Sequence, residues 1–190
     1  MTSVDHDFGQ SLNRSEPQAF DDLYSKYKTS VYRFTYYLVQ NRGEADDLFQ
    51  ETWLRVAQHF QKIQNVRDFR AWIFAIASNL HRDVLRKKRI RRLFSKQIPR
   101  FSEQKNNDSN ELSVSEESTE DHMQMRMGIR RALAQLPARQ SQIFILKEIE
   151  GFKHSEISEM LHIPEGTVKS LMHRAVKKLQ HELSDYRSEF

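Results

Sequence analysis

Three carboxylates, Glu44, Asp47 and Glu51, recur at steps of three and four within EADDLFQE, residues 44–51. On a helix that spacing places them on one face. Carboxylates so gathered can hold a divalent cation for hydrolysis, or present a negative surface to a basic partner. No His or Lys in the stretch supplies a base, which weighs against hydrolysis. The second chemically suggestive stretch is PEGTVKSLMHRAVKKLQHEL, residues 164–183. Val168, Met172, Ala175 and Leu179 form a thin apolar stripe there. Thr167, Lys169, Ser170, Leu171, His173, Arg174, Lys177 and Lys178 are left facing outward. Cations mixed with short hydroxyls suit phosphates and base edges, although a basic helix can equally be a solvated surface.

The elements that must position these groups are helical. Gly (5) and Pro (4) are scarce among 190 residues, and β-branched runs are few. Phe20, Leu23, Tyr24, Tyr27, Val31, Phe34 and Leu38 line one stripe of a helix expected over about 17–40. NRGEADD then stops and restarts the chain with acids in a new first turn. A second helix, about 44–60, carries Leu48, Phe49, Trp53, Val56 and Phe60 on one side. A third, about 67–90, carries Phe69, Trp72, Ile73, Ile76, Ala77, Leu80 and Val84; Phe74 falls off that stripe and is expected to be exposed.

Beyond residue 95 the character changes. SEQKNNDSNELSVSEESTED is polar and acidic, the composition of a flexible linker. The net charge of +4 hides an asymmetry. Bases dominate from Arg82 to Lys105, whereas Asn106 to Asp121 holds acids and no base. Four further helices are expected after the linker, in MQMRMGIRRALAQL, ARQSQIFILKEIE, SEISEMLH and the basic stretch quoted above. The expected organisation is all-α: a helical bundle over 1–94, a linker over 95–122 and a second helical unit over 123–190. Cysteine is absent, so disulfides and thiolate metal sites are excluded, and the eight histidines include no zinc-type spacing. No apolar run approaches the roughly 20 residues that cross a bilayer, and no membrane insertion is expected. No cofactor is expected either.

HSEISEMLHIPEGTVKSLMHRAVKKL has the pattern of a helix-turn-helix. Ile157, Met160 and Leu161 face inward on the first helix, Ile163 fills the turn, and small Ser158 lets the helices approach. His162 stands where a left-handed residue, usually Gly, is expected.

LPARQSQIFILKEIEGFKHSEISEMLHIPEGTVKSLMHRAVKKL resembles region 4 of sigma-70-type factors. EADDLFQETWLRVAQ and FRAWIFAIASNLHRDVLRKKR resemble region 2. Their order and the short chain resemble the extracytoplasmic-function (ECF) group, which keeps only these two regions. The resemblance implies a non-enzymatic subunit of bacterial RNA polymerase that directs initiation at promoters with −10 and −35 elements. It implies that Asp47, Leu48, Phe49, Gln50 and Glu51 dock on the core enzyme, at the clamp helices of the largest subunit, with the second-largest subunit also in contact. It assigns Phe74 to base stacking, and Asn79 and Asp83 to a pocket for a flipped −10 base, completed by the loop Ile63 to Asp68. Arg82, Arg86, Lys87, Lys88, Arg89, Arg91 and Arg92 become backbone contacts. Ala75 stands where a wedge aromatic would be, which implies weaker melting and a stricter −10 match.

The basic helix becomes the −35 reader, through Thr167, Lys169, Ser170, Leu171, His173, Arg174 and Lys177. Two arginines of the family pattern are replaced, by Leu171 and Val176, and a usual Ser or Thr cap by Lys153. Leu171 can touch a thymine methyl but cannot bond guanine bidentately. The resemblance further implies an anti-sigma partner and a bacterial cytoplasmic location, free or held at the membrane by that partner. Two other readings remain at this point: a stand-alone regulator using only the helix-turn-helix, and a metal-dependent nuclease built on Glu44, Asp47 and Glu51.

Overall fold

The computed structural model describes residues 16–60, 68–94, 128 and 130–187, and every regular element among them is helical. The expected linker and most of the loop assigned to a flipped base lie outside the described residues. Helix α1 spans Glu16–Val39, α2 Arg42–His59 and α3 Phe69–Phe94. After them come α4, residues 130–135, and α5, Ala138–Phe144, which widens into one π turn at Ile145–Ile149. Helices α6, His154–Leu161, and α7, Glu165–Arg187, complete the second unit.

Local chemistry sets the boundaries. At the end of α1, Gln40 turns left-handed with φ of 55°. Asn41 then caps α2, its Oδ1 accepting the Glu44 N–H at 3.0 Å. Asp68 caps α3 in the same way through the Ala71 N–H, at 3.0 Å. Gly151, with φ of 74°, turns the chain after the π turn, a conformation that favours glycine.

The expected stripes meet in the core. Leu23, Tyr27, Val31 and Phe34 of α1 pack with Trp53 and Val56 of α2 and with Phe69, Ile73 and Ala77 of α3. Leu133, Leu136, Ile143, Leu146, Ile157, Leu161, Val168, Met172, Ala175 and Leu179 fill the second unit. Phe74 departs from its expectation: it is 0% exposed. Its ring lies 5.0 Å from Phe34 and 5.3 Å from Phe152, both edge-on. The second unit covers the face of α3 that a bundle standing alone would leave open, and the two cores join through these rings.

His81, one turn beyond Ala77, is also buried. Burial first, and Lys88 second, push its imidazole down to about 4, against a smaller upward pull from Glu44. The unfolded chain takes up this proton near its ordinary value of 6.5, so stability is lost as pH falls from there towards 4. The shift corresponds to about 3 kcal/mol. Urea denaturation followed across that window should show His81→Gln losing about 3 kcal/mol less than the unaltered chain; identical losses would rule out a neutral, buried His81.

Candidate nucleic-acid interface

Helices α6 and α7 form the helix-turn-helix. His162 is left-handed, with φ of 52° and ψ of 49°, as its place in the turn requires. The turn is closed by the Ile163 N–H donating to the Ser158 carbonyl at 3.1 Å. The Ser158 hydroxyl returns a bond to the Ile163 carbonyl at 2.6 Å. Ser158 is therefore more than a small residue permitting close approach; it ties the two ends of the turn together. Lys153 precedes α6 without a side-chain cap, since an ammonium accepts nothing. Its N–H is met instead by Glu156 Oε2 at 2.6 Å, the return half of a capping box.

Along α7, Thr167, Lys169, Ser170, His173, Arg174 and Lys177 are all exposed. Lys169 pairs with Glu165 at 2.7 Å, which holds that exposed carboxyl below its usual value. The Ser170 hydroxyl donates to the Thr167 carbonyl at 3.0 Å. Leu171 differs from the rest of the face: it is half-buried and packs against the core. Packing thus accounts in part for an apolar residue among the charges of this helix. Val176 is likewise half-buried against the core. Lys178 turns away from the outer face to reach the Gln135 carbonyl at 2.5 Å.

On α3, Arg82, Arg86, Lys87, Arg89, Arg91 and Arg92 are exposed, forming a cationic end to the bundle. Asn79 and Asp83 are half-buried one turn apart, and Asp83 faces Arg86 at 3.7 Å. Phe74 is separated from them in accessibility, sealed beneath Phe152.

The acidic helix keeps its face open. Asp47, Gln50 and Glu51 are exposed. Leu48 is buried, so it supports this surface from beneath rather than belonging to it. Phe49 is half-buried in an aromatic group with Tyr32 at 5.5 Å and Trp53 at 6.3 Å. The three spaced carboxylates do not converge on a common point. Glu44 is turned towards Lys88 of α3, and Glu51 pairs with Arg55 at 3.1 Å. Among the described residues, no three His, Cys, Asp or Glu side chains are grouped to hold a metal ion.

Sequence reasoning missed the junction between the two units. Glu150, only 5% exposed, ends the π turn. Its Oε1 accepts from Arg33 Nη2 at 2.9 Å, and its Oε2 lies 3.8 Å from Arg70 Nη2. Arg70 also donates to the Glu150 backbone carbonyl and stacks over the Phe152 ring at 4.1 Å. Burial pushes the Glu150 carboxyl up, and the two guanidiniums pull it back only in part. A carboxylate beside a glycine, at the end of the apolar run IFILKEIEG, was the available signal.

With this geometry described, comparison with known proteins defines the class. Residues 23–91 match the family model for sigma-70 region 2, and residues 126–179 match that for sigma-70, region 4. The chain is 31% identical over 167 residues to the ECF RNA polymerase sigma factor SigL of Mycobacterium tuberculosis, covering 86% of this chain and 88% of that one. It is 28% identical over 178 residues to the ECF sigma factor SigW of Bacillus subtilis, covering 93% and 95%. In fold it is similar to the sigma factor RpoE from Bartonella quintana, co-crystallised with the anti-sigma factor NepR. That match has a TM-score of 0.67 at 22% identity and covers 87% of this chain and 96% of that one. It is also similar to CnrH in complex with the cytosolic domain of CnrY, with a TM-score of 0.63 at 20% identity, covering 94% and 95%. The chain belongs to the ECF group of the sigma-70 family, the transcription initiation factors of RNA polymerase. No helix among the described residues is long and apolar enough to cross a membrane.

The pair of hydrogen bonds across the turn yields a direct test. Ser158→Ala leaves the Ile163 carbonyl without its hydroxyl partner and should lower stability by about 1–2 kcal/mol in chemical denaturation. An unchanged midpoint would show that the bond contributes nothing.

Proposed function

We propose that this ECF sigma factor divides its work between three segments. Residues 1–94 dock on the core polymerase and engage the −10 element, 95–122 act as a tether, and 123–190 read the −35 element. The observation that carries the reading is the placement of charge. An exposed acidic face on α2, a cationic end on α3 and a cationic outer face on α7 all belong to one chain. The two family matches fall inside the outer segments. A tether of this length spans at most roughly 90–100 Å when extended, enough to join modules on two promoter elements. The polymerase supplies the chemistry, and this chain supplies recognition.

Asp47, Gln50 and Glu51 are the docking contacts, directed at basic side chains on the clamp helices of the largest subunit. Leu48 and Phe49 hold them in place. Exposed opposite charges set orientation and association rate. Arg82, Arg86, Lys87 and Arg89 contact phosphates, while Asn79 and Asp83 read a −10 base, with Phe74 available for stacking only after Phe152 withdraws. At the −35 element Thr167, Lys169, Ser170, His173, Arg174 and Lys177 face the groove. Leu171, held against the core, offers at most an apolar edge. Control by an anti-sigma protein is part of the proposal, by analogy with the complexes formed by the structural relatives.

Run-off transcription by core enzyme with this protein, across a randomised promoter library, should return a small set of initiating sequences; absence of any selected promoter would overturn the reading. Asp47→Lys combined with Glu51→Lys should abolish co-elution with core while the helical content stays unchanged. Retained co-elution would relocate the docking surface. Arg174→Ala should reduce the magnitude of the logarithmic salt slope of promoter binding by about 0.9, the contribution of one phosphate contact. An unaltered slope would remove Arg174 from the interface.

A further inference from the structure

From Val84 to Phe94 the end of α3 reverses the polarity of the rest of the helix. Among the described residues five large hydrophobics are exposed, and four of them fall here. They are Leu85 at 37%, Ile90 at 45%, Leu93 at 62% and Phe94 at 75%. The buried stripe of Ile73, Ala77 and Leu80 continues, at steps of four and three, through Val84 into Lys88 and Arg91. The core side of the helix thus ends in cations, while apolar side chains stand in water on the other side. On a helical projection Leu85, Ile90, Leu93 and Phe94 share about half the circumference.

The charge on this segment has one sign: VLRKKRIRRLF, residues 84–94, contains no acid. Lys88 is engaged by Glu44, and Arg86 faces Asp83 at 3.7 Å. Lys87, Arg89 and Arg91 are exposed. An occupant of this surface must therefore bring negative charge and accept aliphatic side chains at the same place. The same face of a second copy brings like charge and is repelled. Nucleic acid satisfies the cations, but Leu85, Ile90 and Leu93 have no ring to stack on a base. Arg86 and Arg89 lie between the apolar residues on the projection, so an apolar protein groove would bury both charges at high cost. At a lipid interface their stems run alongside the aliphatic side chains while the guanidiniums reach back to headgroup phosphates.

We propose that the end of α3 binds the surface of an anionic phospholipid bilayer, with Ile90, Leu93 and Phe94 inserted among the headgroups and the neighbouring arginines on lipid phosphates. The contact is peripheral, since no helix among the described residues is long and apolar enough to cross a membrane. Its two components respond differently to salt. Attraction of the cations to the surface is screened, whereas insertion of the apolar side chains is not. Arg86, Lys87 and Arg89 are also the phosphate contacts proposed for the −10 element, so a chain held on the bilayer is not on a promoter. That consequence alone rests on the promoter-recognition reading; the lipid contact itself does not.

The full chain should co-sediment with vesicles of phosphatidylglycerol and phosphatidylcholine in equal parts, and not with phosphatidylcholine alone. The chain has no cysteine, so Ile90→Cys takes a single environment-sensitive dye, whose emission should shift to the blue on the anionic vesicles. Leu93→Ser combined with Phe94→Ser, at side chains the fold leaves exposed, should weaken vesicle binding about tenfold or more with helical content unchanged. Non-specific duplex DNA should displace the chain from the vesicles. Unchanged vesicle binding by the doubly substituted chain overturns the proposal, as does a dye that stays in water. If the unaltered chain ignores vesicles, and the double substitution instead removes binding of a short single strand, the patch belongs to nucleic acid. If it removes a concentration-dependent rise in mass, the patch belongs to a second copy. DNA and vesicles bound together without competition overturn the mutual exclusion. Vesicle binding that survives while run-off transcription fails leaves the lipid contact standing and indicts the promoter assignment.

Discussion

The contact on which the arrangement depends is the meeting of Phe34, Phe74 and Phe152, with Glu150 held by two arginines at its edge. Edge-on aromatic pairs each contribute about 0.5–1.5 kcal/mol beyond their buried area. The carboxylate beside them contributes mainly selectivity: its desolvation is offset only where Arg33 and Arg70 are both in reach. The two helical units are therefore not merely adjacent. They share a core whose centre is apolar and whose rim is charged, the layout of a specific but separable interface.

That layout explains how one small chain carries surfaces of opposite sign. Acids are gathered on α2, where Asp47 and Glu51 stay in water, while cations gather on the end of α3 and on α7. Lys88 with Glu44 links these fields, joining α2 to α3 close enough to His81 to influence its protonation. Burial of His81 in that setting makes the bundle sensitive to acid even though most of its charges are exposed.

Much of this was legible in the sequence because the amphipathic stripes were regular. Ile157, Met160, Leu161, Val168, Met172, Ala175 and Leu179 all face the core as their spacing requires, and His162 adopts the left-handed geometry that its position in the turn demanded. What spacing could not supply was contact between distant segments. Phe74 falls off the regular stripe of its helix, and it is buried between Phe34 of α1 and Phe152 of the second unit. Leu48 and Leu171 show a related limit: a residue inside a surface motif can be serving the core beneath it. The π turn was invisible for another reason. Its five-residue hydrogen bonding, closed by the Glu150 N–H to the Ile145 carbonyl at 2.9 Å, leaves no compositional mark.

Glu150 and Phe152 flank Gly151, whose positive φ costs glycine less than it would a residue carrying a side chain. Nothing within 4 Å would meet a Cβ added there, so backbone freedom rather than space is what glycine provides. The carboxylate and the ring are consequently carried on the two arms of a single turn. The torsions of one residue set the placement of the carboxylate relative to the ring, so both attachments depend on the same backbone geometry.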